Sequence, residues 1–189
     1  NTEVKSFKFM DRQIYAVNTS QGQISGEDFV LAGGAWSSEL SKQLGIKLSL
    51  LAGKGYSFTM KNPQQRPTIP SILCEGKVAV TPMGSDLRFG GTMEITHARD
   101  TRINQKRLQG IVETANSFYP EMSIQFPKKE AQWFGFRPCS PDGLPYIGRS
   151  SNISNAIVAT GHAMMGLSLG PATGFIVSSI VNKQELPVP

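Results

Sequence analysis

The sequence of 189 residues is poor in the side chains that bind metals, with two cysteines, Cys74 and Cys139, and two histidines, His97 and His162. The cysteines stand far apart and in no metal-ligand spacing, so no zinc site is legible. Nothing marks the disulfide framework of a small secreted scaffold either. Charge is sparse at 17% of residues and the net excess is only +5. Adjacent basic residues come only in pairs, as at Lys128-Lys129, whereas nucleic-acid readers gather theirs into a patch or stripe. The interleaving of aromatic and basic residues that binds single strands is also missing. No apolar run reaches the roughly 18 residues of a membrane-spanning helix, and no signal peptide is visible. The most apolar stretch, 163–181, is interrupted by Gly166, Gly170, Pro171 and Gly174. What is present is 39% hydrophobic residues, enough for a packed core and too many for disorder. The length suits one compact domain or two small lobes. The mild positive balance suits anionic small molecules such as carboxylates and pyrophosphates. The chain starts at Asn1 rather than Met and enters strand-like sequence at once, which fits a fragment of a longer protein.

Periodicity predicts a β-meander over 3–31, carried by Val4, Phe7, Phe9, Ile14, Tyr15, Val17, Ile24 and Phe29-Val30-Leu31. A short helix follows from Ser37 to Leu44, closed by Gly45. Residues 47–96 read as antiparallel strands, with a hairpin joining Val78–Pro82 to Leu87–Thr92 around Met83-Gly84-Ser85-Asp86. A helix is expected from Asp100 or Thr101 to Phe118, with Ile103, Leu108, Ile111, Val112 and Ala115 on its apolar face and Tyr119-Pro120 stopping it. Residues 130–149 read as a proline-rich loop, 156–159 as a short buried strand, and Pro171 as the first turn of a last helix. No internal repeat is present, and the order of elements predicts an α+β fold with an antiparallel sheet in its middle.

Three segments carry chemistry. The first is Val30-Leu31-Ala32-Gly33-Gly34-Ala35-Trp36-Ser37, a strand ending in two glycines before a helix. Such a turn lets backbone N–H groups approach a ligand without Cβ interference, near a helix end that favours negative charge; a tight turn that binds nothing has the same pattern. The second runs from Gly135 to Gly148 and holds Arg137-Pro138-Cys139-Ser140-Pro141-Asp142-Gly143. A rigid segment with one arginine suits two parallel hydrogen bonds to a carboxylate. A surface salt bridge is the plainer role for Arg137, and capping of its own turn the plainer role for Asp142. The third is Thr160-Gly161-His162-Ala163-Met164-Met165-Gly166-Leu167-Ser168-Leu169-Gly170-Pro171. Glycines at 166, 170 and 174 share one helical face, open to a planar ligand or another backbone. His162 alone reads as a packed polar residue, and Met164 and Met165 read more readily as core than as cofactor contacts.

Taken together and in this order, these segments, with Lys54-Gly55-Tyr56-Ser57 and Gly90-Gly91-Thr92-Met93-Glu94 between them, resemble the FAD-dependent D-amino-acid oxidase superfamily. The chain is most similar to its bacterial D-amino-acid dehydrogenase branch. The likeness covers nearly the whole chain; Arg-Pro-x-x-Pro-Asp-Gly and Thr-Gly-His are its specific parts.

The resemblance implies an antiparallel or mixed β-sheet substrate domain over 48–134. The C-terminal part of an FAD-binding α/β domain would be split between 1–47 and 135–189. The Gly-x-Gly-x-x-Gly turn that opens such a domain is not found in the sequence, so the isolated chain is expected to hold FAD weakly and to be inactive. By resemblance, Arg137 holds the substrate carboxylate and Tyr56 walls the substrate pocket. Ala32, Gly33 and Gly34 would line FAD, with Gly161, His162, Ala163, Met164, Met165 and Gly166 against the flavin. The implied partner is a small-molecule amino acid, and the electron acceptor is quinone or oxygen. The implied place is the cytoplasm or the inner face of a bacterial inner membrane. Glycine or sarcosine oxidation and 2-hydroxy-acid dehydrogenation remain open within the superfamily. A non-catalytic module for an anion or a protein partner remains open outside it.

Overall fold

The computed structural model describes residues 1–186; the end of the expected closing segment, 187–189, lies outside them. The chain forms two compact units, one made of Asn1–Ala52 and the chain from Arg137 onward, the other of Gly53–Phe136.

In the first unit β1 (Val4–Met10), β2 (Gln13–Thr19) and β3 (Gly22–Ser25) form the expected meander. Its alternation buries Ile14 and Ala16 and leaves Tyr15 exposed. The meander stops short of 31. β4 (Phe29–Leu31) leaves it and runs parallel to β11 (Ala156–Thr160), with Val30 opposite Ile157. β10 (Tyr146–Arg149) completes that three-stranded sheet in the order β10-β11-β4. Asn155 ties the two sheets: its side chain accepts from Ile14 N–H at 2.9 Å and donates to the carbonyls of Ile14 at 2.7 Å and Glu27 at 2.8 Å. A run of three apolar residues carries no signal for which strand will be its partner. α1 (Ser37–Gln43) ends as expected, with Gly45 at φ +64°. Ile14, Leu31, Leu44, Ile153 and Ala156 form the core.

The last helix, α3 (Gly166–Val181), begins five residues before Pro171 rather than at it. The residue ahead of the proline is Gly170, which has no Cβ to clash with the ring, so the helix passes through with one N–H missing. Among the described residues no helix is long and apolar enough to cross a membrane.

The second unit is built on a sheet ordered β6-β7-β8-β5-β9, from β5 (Leu51–Met60), β6 (Ser71–Leu73), β7 (Val78–Met83), β8 (Asp86–Thr96) and β9 (Gln132–Cys139). The ends of β5 and β9 run into the first unit. The β7–β8 hairpin turns on Gly84-Ser85, with Gly84 at φ +61°. α2 (Gln105–Phe118) sets Leu108, Ile111, Val112 and Ala115 against Tyr56, Phe58, Val78, Val80, Leu87 and Phe89. The Phe58 and Phe89 rings stack at 5.2 Å. α2 starts later than expected because Asn104, not Asp100, caps it, accepting from Lys106 N–H at 3.2 Å. The Asp100 carboxylate is held instead by Arg102 at 2.9 Å and by the fully buried Lys54 at 3.6 Å. The loop expected over 130–149 is mostly strand: Gln132-Trp133-Phe134-Gly135-Phe136 is good β-forming sequence, and the prolines sit at strand ends or within 140–145.

Candidate functional site

β4 and β11 are parallel neighbours, so their carboxyl ends open side by side, where ligands of parallel sheets bind. Both strands lead into glycine-containing turns. After β4 come Ala32, Gly33 and Gly34, with Gly34 at φ +56°; after β11 comes Gly161 at φ +89°. These left-handed values favour glycine. A Cβ on Gly161 would also stand 3.2 Å from the Tyr146 ring and 3.3 Å from Leu50. Two buried hydroxyls lock the turns together: Ser37 Oγ donates to Thr160 Oγ1 at 3.1 Å, and Thr160 Oγ1 donates to the Gly34 carbonyl at 3.2 Å. Sequence reading missed both. Their only signal was a polar residue at each glycine turn where the flanking strand pattern is apolar.

Arg137 joins this region through the backbone. Cys139 and His162 form an antiparallel bridge, and Ala163 N–H donates to the Pro138 carbonyl at 3.0 Å. Ala163 is left-handed at φ +47°, a conformation that costs a non-glycine residue roughly 1–3 kcal/mol. The Pro138 carbonyl helps to hold it. Within the first unit, then, Ala32–Gly34, Arg137 and Gly161–Ala163 come together. The Arg137 side chain is half-buried and forms no ion pair among the described residues. Asp142 does cap its own turn, accepting from Leu144 N–H at 3.1 Å.

His162 is half-buried. Its Nε2 lies 2.8 Å from Thr173 Oγ1 on α3, and burial pulls its pKa below the usual imidazole value. Met164 and Met165 are 73% and 53% exposed, which removes the core reading. Gly166 opens α3 with no side-chain cap and no acidic residue in the first turn. Its N–H groups there lack helical partners and carry the positive end of the helix dipole. Nothing among the described residues comes within 4 Å of where a Cβ would stand on Gly170 or Gly174, so the glycine face of α3 is bare.

Tyr56 belongs to the second unit and is buried in its core. Its hydroxyl donates to the Glu94 carboxylate, which also accepts from Arg107 Nε at 2.8 Å. Burial, then the hydrogen bond to Glu94, pushes the phenol pKa from 10.0 to about 12. The hydrogen bond from Tyr56 leads the causes that hold the Glu94 carboxyl below its usual value. The strand neighbours of Tyr56, Gly55 and Ser57, lie on the opposite face of the sheet.

The family model for FAD dependent oxidoreductases matches residues 1–180. A D-amino acid dehydrogenase of Vibrio vulnificus (strain YJ016) is 33% identical over 187 residues, which are 98% of this chain and 44% of that protein. A glycine oxidase of Pseudomonas aeruginosa is 31% identical over 185 residues, 97% of this chain and 50% of that protein. Among solved structures, glycine oxidase from Geobacillus kaustophilus is 26% identical with a TM-score of 0.84, covering 98% of this chain and 49% of that one. L-proline dehydrogenase from P. horikoshii is 25% identical, also with a TM-score of 0.84, covering 99% and 51%. The chain therefore spans about half the length of the relatives it matches.

Proposed function

Because this chain belongs to the FAD dependent oxidoreductase family, we propose that the full-length protein deaminates D-amino acids oxidatively to 2-keto acids and ammonia. The observation that carries this is Arg137: half-buried, without an ion pair among the described residues, on a strand bonded to the Gly161–Ala163 turn.

The residues present fit FAD. Ala32, Gly33 and Gly34 offer backbone at a turn where two of the three residues lack a side chain. The stretch Gly161, His162, Ala163, Met164, Met165 and Gly166 offers further backbone and the uncapped end of α3. The segments 1–47 and 135–189 are assigned to the FAD-binding domain and 48–134 to the substrate domain. When bound, FAD supplies the acceptor for the hydride that leaves the substrate Cα. Arg137 takes the substrate carboxylate in paired hydrogen bonds and so fixes how the Cα–H is presented. The α3 N-terminus stabilises negative charge that develops nearby. His162 contributes packing, not a base, and none is required if the amine enters neutral; water then hydrolyses the imino acid. Tyr56, its hydroxyl committed to Glu94, supports a wall of the substrate domain from the core side. Electrons go on to quinone or oxygen.

The likeness to glycine oxidases keeps glycine or sarcosine as the second substrate reading. The test is the visible spectrum of the full-length protein, recorded anaerobically with D-alanine, other D-amino acids, glycine and sarcosine. Bleaching by D-amino acids is expected, with Arg137→Ala needing on the order of a hundred-fold more substrate. Bleaching by glycine or sarcosine alone would transfer the reading to those substrates, and no flavin spectrum would end it.

A further inference from the structure

A second arginine stands apart from the ion pairs of its own unit. In Gly53–Phe136, Arg102 is paired with Asp100 and Arg107 with Glu94. Arg88 on β8 is half-buried and has no carboxylate partner among the described residues. It is nonetheless held in place. Its Nε and Nη2 both donate to Ser57 Oγ, at 3.2 and 2.9 Å, and its guanidinium lies 4.8 Å from the centre of the Trp133 ring. The hydroxyl occupies one edge of the guanidinium and the indole one face, which leaves the Nη1–Nη2 fork as the unused pair of parallel donors.

These residues lie on the face of the sheet away from α2, since Tyr56, Phe58, Leu87 and Phe89 point the other way into the core. On this face Ser57 is buried, while Arg88, Gly90 and Thr81 are half-exposed. Gly90 sits beside Ser57, where a Cβ would meet only ordinary contacts at 3.5 and 3.8 Å. Internal packing therefore does not demand glycine at that position, and its lack of a side chain keeps the strip next to Ser57 open. The cross-strand neighbours Thr81, opposite Arg88, and Ala79, opposite Gly90, bring no charge. One fixed guanidinium matches the planar oxygen pair of a single carboxylate group better than the tetrahedral oxygens of a phosphate.

We propose that Arg88, Ser57 and Trp133 form a carboxylate-binding site on the face of this sheet away from α2. Its ligand is a small organic acid gripped by the Nη1–Nη2 fork. This holds whether or not the oxidative reading is correct, because it rests on the second unit alone.

The experiment is protection of the full-length protein from phenylglyoxal, which modifies accessible guanidinium groups, read peptide by peptide by mass spectrometry. Succinate is expected to slow modification of the Arg88 peptide, while inorganic phosphate at equal ionic strength does not. In Ser57→Ala or Trp133→Ala, about ten-fold more succinate is expected to be needed for the same protection, as the loss of one charged hydrogen bond or stacking contact implies. The Arg137 peptide, followed in the same digest, reports separately on the other arginine. An Arg88 peptide that reacts at the same rate with and without succinate overturns the proposal. So does one that phosphate protects equally, or one that never reacts at all. None of these results touches the flavin spectrum that decides the proposed reaction.

Discussion

In the unit Gly53–Phe136, Phe58, Val80, Leu87 and Phe89 are exposed by 1% or less, whereas α3 in the other unit shows Leu167 at 95% and Phe175 at 60%. Both regions are apolar in sequence. In the first, apolar residues recur on one side of α2 and of each strand, so a helix and a sheet can close on each other. In α3 they surround glycines and a proline: Thr173, Ile176, Val177 and Ile180 form a half-buried side, but Leu167 and Phe175 lie outside it. The lesson is that apolar content does different work in the two places. Under α2 it holds the fold together; on α3 Leu167 and Phe175 form surface of the kind that marks interaction sites.

The comparison breaks first at the core. Phe89→Ala should cost about 3–5 kcal/mol in denaturant unfolding; a change below about 1 kcal/mol would mean that the sheet–α2 contact is not what stabilises this unit. Next comes the turn after β11. Gly161→Ala should cost at least the roughly 1–2 kcal/mol of a left-handed residue, with more added by Tyr146 and Leu50. A thermal midpoint equal to wild type would show that the turn relaxes.

A smaller effect follows pH. The fold raises the Tyr56 pKa from 10.0 to about 12, so it favours the neutral phenol. That stabilisation is complete below pH 10 and is lost as pH rises towards about 12. Glu94 has the opposite sign: its depressed carboxyl contributes stability above its ordinary value of 4.5, lost as pH falls through the range below it. In Tyr56→Phe the alkaline decline should become shallower in denaturation curves taken across pH 9 to 12; an unchanged decline would assign it to another group. The smallest effect belongs to Leu167→Ala, expected to stay within about 0.5 kcal/mol of wild type. A larger loss would show that the exposed side of α3 is covered in solution.

Local signals carried much of this architecture in the sequence. Gly84 marked the β7–β8 hairpin, the spacing of Leu108, Ile111, Val112 and Ala115 marked α2, and Gly45 marked the end of α1. Three things could not be read locally. Prolines at 138, 141 and 145 disguised β9 and β10 as a loop, because strand ends tolerate a residue without N–H. Gly170 let α3 run through Pro171. The parallel pairing of β4 with β11 depends on residues from opposite parts of the chain, which no window of sequence contains. The candidate site shows the same division. The glycines and Arg137 stood out as motif residues. The Ser37–Thr160 hydrogen bond and the lone guanidinium of Arg88 became visible only once distant strands were set side by side.

The pairing of β4 with β11 has one more consequence. Phe29 bonds to Asn155 and Val30 faces Ile157, with the whole of the other unit lying between them in the chain. On the ribosome, Gly53–Phe136 is a continuous stretch that can close on itself as soon as it emerges. The edge of β4 that takes β11 must wait until Ala156–Thr160 has been made. The order of synthesis thus sets a sequence of assembly in which the sealed core comes first and the cradle last. Pausing of translation between the two would lengthen the interval in which β4 stands open to wrong partners.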